Sequence, residues 1–271
     1  LISGRQDFNY QNMRRLSREL SGASIDRHMA FFQGGHEYPP VKSMRKALLW
    51  ITFKDMQAGF VEKNDNMLKE FARKGMQRAD SLREQSRYYA AYLQLDKVLN
   101  FLEGLHTPRK MLNNYQQLAK HPMVEDQLER MKSIRRYERR MQIEYRKALY
   151  QKNAGWWKNQ VKSLNGKLES GGMYGKDVHY RLKNYLSMVF FTETRNAFPD
   201  DLYQARRFLT LYGLVDPQNP DYMFFKAKLA ARESQDQKAA RFLQQALRAG
   251  FEHQSWIRQD TALFAIYQDV R

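Results

Sequence analysis

Two textures of hydrophobic and polar positions divide the chain. In residues 1 to about 55, apolar side chains fall in two short runs, Leu1-Ile2-Ser3 and His28-Met29-Ala30-Phe31-Phe32, which read as strands. Between them, Tyr10 to Leu20 carries Met13, Leu16 and Leu20 at helical spacing. The second run enters Gln33-Gly34-Gly35-His36-Glu37-Tyr38-Pro39-Pro40, a loop dense in backbone-breaking residues. Val41 to Lys54 then reads as a helix whose inward face is expected to hold Met44, Ala47, Leu48 and Ile51. Pro39 and Pro40 suit the approach to its first turn, where a missing N–H costs nothing. Strand, helix, strand, loop, helix is the order of an α/β unit with parallel strands.

From about residue 60 onward the pattern changes to amphipathic helices with no confident strand. Helices are expected at about 64–84, 87–104, 108–120, 124–152, 155–168, 177–196, 200–212, 221–234, 236–249 and 255–268. Gly104 with Pro108, His121-Pro122, Gly171-Gly172 with Gly175, Pro199-Asp200 and Pro217 to Pro220 punctuate them. Short connections of this kind argue for antiparallel helix pairs. The longest helix carries Met131, Ile134, Tyr137, Met141, Tyr145, Ala148 and Leu149 on one core-facing stripe. The expected fold is therefore mostly α, with an α/β segment over residues 1–57 and a helical domain over 58–271.

Length and charge narrow the partners. At about 150 residues per domain, 271 residues make one large domain or two modest ones. Lys and Arg number 46 against 29 Asp and Glu, a formal charge of +17, so acidic partners are favoured electrostatically. Nine cations lie between Arg130 and Lys152, opposed only by Glu138 and Glu144. They sit opposite an apolar stripe and read as its solvated side, and no recognisable nucleic-acid module accompanies them. Trp156-Trp157 reads as one core ring and one rim ring rather than a stacking platform. The absence of cysteine excludes disulfides, thiolate metal sites and a cysteine nucleophile. The six histidines include no pair at i, i+3 or i, i+4, and no glycine-rich phosphate loop occurs, so no metal or nucleotide cofactor is expected. The longest apolar run, Ala47 to Phe53, is far short of the roughly 20 residues of a membrane span. Leu1-Ile2-Ser3-Gly4 lacks the features of a signal peptide and reads as the tail of a strand, as though the polypeptide began within a domain.

The chemistry-bearing residues lie in the first segment. Gly4-Arg5-Gln6-Asp7 follows one strand, and Gln33-Gly34-Gly35-His36-Glu37-Tyr38-Pro39-Pro40 follows the next. This combination resembles the last two strand–loop units of the α/β-hydrolase fold, in its branch of serine esterases and peptidases. The resemblance implies that Asp7 is the acid and His36 the base of a triad running Ser, Asp, His in chain order. His36 would take a proton from a serine hydroxyl, and Asp7 would fix the ring's tautomer and stabilise the imidazolium. The nucleophile motif Gly-x-Ser-x-Gly is absent from all 271 residues, as are the earlier strands and the oxyanion loop. This chain alone is expected not to be a complete catalyst.

Tyr222 to Gly250 looks like one tetratricopeptide repeat, a helix–turn–helix unit of about 34 residues. Ala227, Ala239, Leu243 and Ala246 match its crossing positions, while Lys226, Ala230 and Phe251 depart from Leu, Tyr and Pro. Trp256-Ile257 and Leu263-Phe264 read as a closing helix. The resemblance implies a groove for a peptide or protein segment, and excess Arg and Lys would make an acidic segment the preferred one. Two functions follow as expectations. One is a serine hydrolase, completed by upstream residues, that carries a helical interaction domain. The other is a non-enzymatic helical repeat scaffold whose hydrolase-like segment is structural.

Overall fold

In the computed structural model, which describes residues 1–269, the protein is mostly helical. Thirteen helices and two three-residue strands are present among the described residues. They group into two compact units, Leu1–Arg139 and the residues from Arg140 onward. The change of texture near residue 57 falls inside the first unit.

The first unit opens with β1 (Ile2–Gly4), α1 (Tyr10–Gly22) and β2 (Ala30–Phe32). The strands pair in parallel with Ile2 opposite Ala30, Ser3 opposite Phe31 and Gly4 opposite Phe32. Then come α2 (Val41–Ala58), α3 (Asp65–Glu84), α4 (Tyr88–Leu102), α5 (Arg109–Ala119) and the start of α6 (Pro122–Ala148). Phe53 and Met56 of α2 share one core with Leu68, Ala72 and Ala79 of α3 and with Leu95, Val98 and Phe101 of α4. The inward face of α2 corrects the sequence expectation. Leu49, Trp50, Phe53 and Met56 pack inward, whereas Val41, Met44, Leu48 and Ile51 are exposed. The helix carries two apolar stripes, and periodicity alone does not choose between them.

Small residues let α3 and α4 approach closely. A methyl group at Gly75 would strike the Val98 side chain. The turn between them places Ser86 in the left-handed region at φ 55°. The Arg87 N–H donates to the Leu82 carbonyl and the Ser86 N–H to that of Arg83, a Schellman closure that satisfies the last carbonyls of α3.

The second unit comprises the rest of α6, α7 (Ala154–Ser170), α8 (Lys176–Ala197), α9 (Leu202–Val215), α10 (Pro220–Arg232), α11 (Asp236–Arg248), α12 (Gln254–Gln259) and α13 (Thr261–Asp269). The side chains of Asn153, Asp201 and Asn219 cap α7, α9 and α10 by accepting backbone N–H groups. Trp157 is fully buried against Tyr145 and Phe190, and Trp156 stays at the rim, as its position in the sequence suggests.

The α10–α11 turn repeats the α3–α4 turn. Ser234 is again left-handed, and the Gln235 N–H donates back to the Ala230 carbonyl. Ala79, Ala91, Leu95 and Val98 have the same spacing as Ala227, Ala239, Leu243 and Ala246, and all eight are buried. Ala205, Leu209 and Tyr212 of α9 follow this spacing too and are buried.

Two further boundaries depart from expectation. The closing helix foreseen over 255–268 breaks at Asp260, which is extended (φ −99°, ψ 104°). Its carboxylate accepts the Leu263 N–H at 3.2 Å, capping α13, while Lys228 and Arg232 stand 3.4 and 3.7 Å away. Ile257 and Leu263 are buried on either side, so the amphipathic period runs through the break and conceals it. The long helix α6 ends at Ala148, earlier than residue 152, and its apolar stripe includes the fully buried Glu138. The side-chain amide of Gln11 on α1 donates to that carboxylate at 2.8 Å.

Candidate functional site

The structure brings Asp7 and His36 together. Asp7 lies in the loop that leaves β1, and His36 in the loop that leaves its parallel neighbour β2. Backbone bonds clamp the two loops, with the Arg5 N–H donating to Phe32 O and the Gln6 N–H to Gly34 O, both at 2.9 Å. The Asp7 Oδ1 accepts the Asn9 N–H at 2.8 Å, which fixes its rotamer in a short turn before α1. Asp7 Oδ2 then stands 3.2 Å from His36 Nδ1.

The two partners differ in environment. Asp7 is nearly buried, with 10% of its side chain exposed, whereas His36 is 65% exposed and leans on the Phe8 ring at 4.9 Å between centroids. An ionised carboxylate only accepts, so the bond requires the proton on Nδ1. Nε2 has no partner among the described residues. A buried acid that orients an imidazole with its outer nitrogen open to solvent can move a proton to or from a group placed there.

Two glycines make this geometry possible. A side chain on Gly4 would collide with the carbonyl oxygens of Gly34 and Gly35, so only glycine lets the second loop cross the end of β1. A side chain on Gly34 would meet Phe32 and Glu37. Gly4 is the residue that sequence reasoning missed. Its signal is a glycine directly after a strand, a common mark of close backbone approach.

Other chemistry is sparse. No group of three or more His, Cys, Asp or Glu side chains fit to hold a metal occurs among the described residues. No helix among them is long and apolar enough to cross a membrane. In the second unit, Tyr180, Lys183, Asn184, Ser187, Val215 and Asp216 line a cavity of about 190 Å³. Ser187 there donates to Asp216 at 2.9 Å, and no histidine lines the cavity. The basic stretch of α6 faces solvent apart from the half-buried Arg135. Compared with protein-family models, curated proteins and solved structures, the chain matches none.

Proposed function

We propose that Asp7 and His36 are the acid and base of a serine-hydrolase site whose nucleophile and oxyanion donors lie outside these 271 residues. The carrying observation is the 3.2 Å contact of a buried acid with an exposed imidazole, on loops that leave adjacent parallel strands. The surrounding structure supports the reading. A two-stranded sheet is marginal alone, and β1 and β2 pair only with each other among the described residues. The exposed stripe Val41, Met44, Leu48 and Ile51 on α2 is an apolar face of the kind that packs on a larger sheet.

The test uses the gene. A polypeptide extended upstream of Leu1 should react with a fluorophosphonate that labels activated serines, and Asp7→Asn or His36→Ala should suppress the labelling. The 271-residue chain should hydrolyse a p-nitrophenyl ester no faster than its His36→Ala variant, because removing the nucleophile alone costs on the order of 10⁶ in rate. Failure of the extended protein to label, or a His36-dependent rate in the 271-residue chain, would overturn the proposal.

A second reading concerns the helices. The shared spacing of α3–α4 and α10–α11, with Ala79, Ala91, Ala227 and Ala239 all buried, favours a repeat-like array that holds a protein segment. The net charge of +17 favours an acidic one. Binding of an acidic peptide library that falls off with salt would support it, and indifference to peptide charge would contradict it.

A further inference from the structure

The cavity of the second unit carries chemistry that is independent of the Asp7–His36 pair. Tyr180, Lys183, Asn184 and Ser187 recur at the spacing of one helix face and line it from α8, while Val215 and Asp216 line it from the C-terminal end of α9. The Asp216 carboxylate is held through one oxygen. Ser187 Oγ and Asn219 Nδ2 both donate to its Oδ2 at 2.9 Å, and Oδ1 has no hydrogen-bond partner among the described residues. Asp216 also stands just past the last turn of α9, where the helix dipole is negative and a further negative charge is unfavourable. Lys183 lines the same cavity, yet it forms no ion pair with Asp216 or with any other carboxylate among the described residues.

We infer that this cavity binds a small zwitterion of the free amino-acid class, with the ligand's carboxylate on Lys183 and its ammonium on Asp216. A cation and an anion that line one cavity beyond ion-pair reach of each other leave two opposite charges to be met. A ligand with only a carboxylate would be repelled by Asp216, and one with only an amine by Lys183. A zwitterion answers both, and each contact is a charge-assisted hydrogen bond. Its ammonium also offsets the negative end of α9. The two bonds that pin Asp216 set its carboxylate in place before the ligand arrives, which lowers the ordering cost of binding. Size and wall chemistry narrow the class. A volume of about 190 Å³ has room for on the order of ten non-hydrogen atoms, enough for one amino acid and too little for a nucleotide. The buried Val215 and the Tyr180 ring give an apolar wall that suits an aliphatic side chain.

Leucine carries both charges and an aliphatic side chain, and it is the probe. In a ¹H–¹⁵N titration of the full chain at neutral pH, leucine should shift the amides of Lys183, Ser187 and Asp216 and saturate. Isocaproate, which is leucine without the amine, and isoamylamine, which is leucine without the carboxylate, should each bind at least about tenfold more weakly. Two variants assign the charges. Lys183→Met keeps an unbranched stem, and Asp216→Asn keeps an oxygen for Ser187 and Asn219, so both should retain the circular dichroism of the parent protein. Each should weaken leucine by about tenfold and also lose one discrimination. Lys183→Met should bind isoamylamine as well as it binds leucine, and Asp216→Asn should bind isocaproate as well as it binds leucine. That exchange of preference is not something a merely loosened fold would produce. No saturable shift with leucine, equal binding of leucine and either analogue by the parent protein, or variants that still discriminate as the parent does would overturn the inference.

Discussion

The β1–α1–β2–α2 segment and the α10–α11 helix pair are similar neither in burial nor in purpose. In α10 and α11, Ala227, Ala239, Leu243 and Ala246 are wholly buried, and Asn219, Pro220 and the Ser234 turn close the helix ends. In the first segment, three-residue strands carry a polar pair at their ends, and α2 leaves Met44, Leu48 and Ile51 in solvent. Stability thus resides in close helix crossings, whereas the candidate chemistry is held by loops on a sheet of two strands. Loops positioned by a scaffold are where catalytic groups concentrate, and the scaffold here is thin.

Mutations sharpen that contrast. Leu243→Ala and Leu95→Ala, at equivalent buried positions, should each cost about 2–5 kcal/mol in denaturant unfolding. If either proves neutral, the equivalence of the two helix pairs fails. Gly4→Ala should cost about 1–3 kcal/mol by forcing the loop of Gly34 and Gly35 away, and it should separate His36 from Asp7 in a crystal structure. An unchanged pair would show that Gly4 is dispensable.

Acid should weaken the first unit through His28, whose pKa burial and the nearby Lys97 charge lower to about 4. The unfolded chain takes up this proton near pH 6.5 and the folded protein only near pH 4. Stability is therefore full above about pH 6.5 and falls as pH drops toward 4. The loss should be on the order of 1–3 kcal/mol and smaller in His28→Gln, as read from melts at pH 7 and 4.5. The smallest effect belongs to the exposed stripe. Leu48→Gln should change stability by less than about 0.5 kcal/mol, whereas Phe53→Ala, one and a half turns further along α2, should cost about 3–5 kcal/mol. A large loss at Leu48 would mean that this face is covered.

Much of this was legible in the sequence where signals are local. Asp7 and His36 stand beside strand ends and glycines, so their order along the chain exposed the pairing that the loops then make. The helices from Asp65 onward follow apolar periods broken by Gly and Pro, and their boundaries came out within a few residues. What stayed hidden depends on tertiary neighbours. The inward face of α2 is set by α3 and α4, and Glu138 is tolerated in an apolar stripe because Gln11 reaches it. Asp260 interrupts a helix without disturbing its apolar period, and the pKa of the Lys97 amine is pushed down first by its burial on α4 and then by the charges of Lys46, Arg78 and Lys42, which the sequence scatters.

The central claim is that Asp7 orients His36 as a base, and long-range ¹H–¹⁵N correlation of the imidazole tests it most directly. Above the pH at which the ring is protonated, His36 should carry its proton on Nδ1 and present an unprotonated Nε2, because Asp7 Oδ2 accepts from Nδ1 at 3.2 Å. Asp7→Asn should abolish that tautomer preference. An Nε2–H ring in the parent protein, unaffected by Asp7→Asn, would contradict the account.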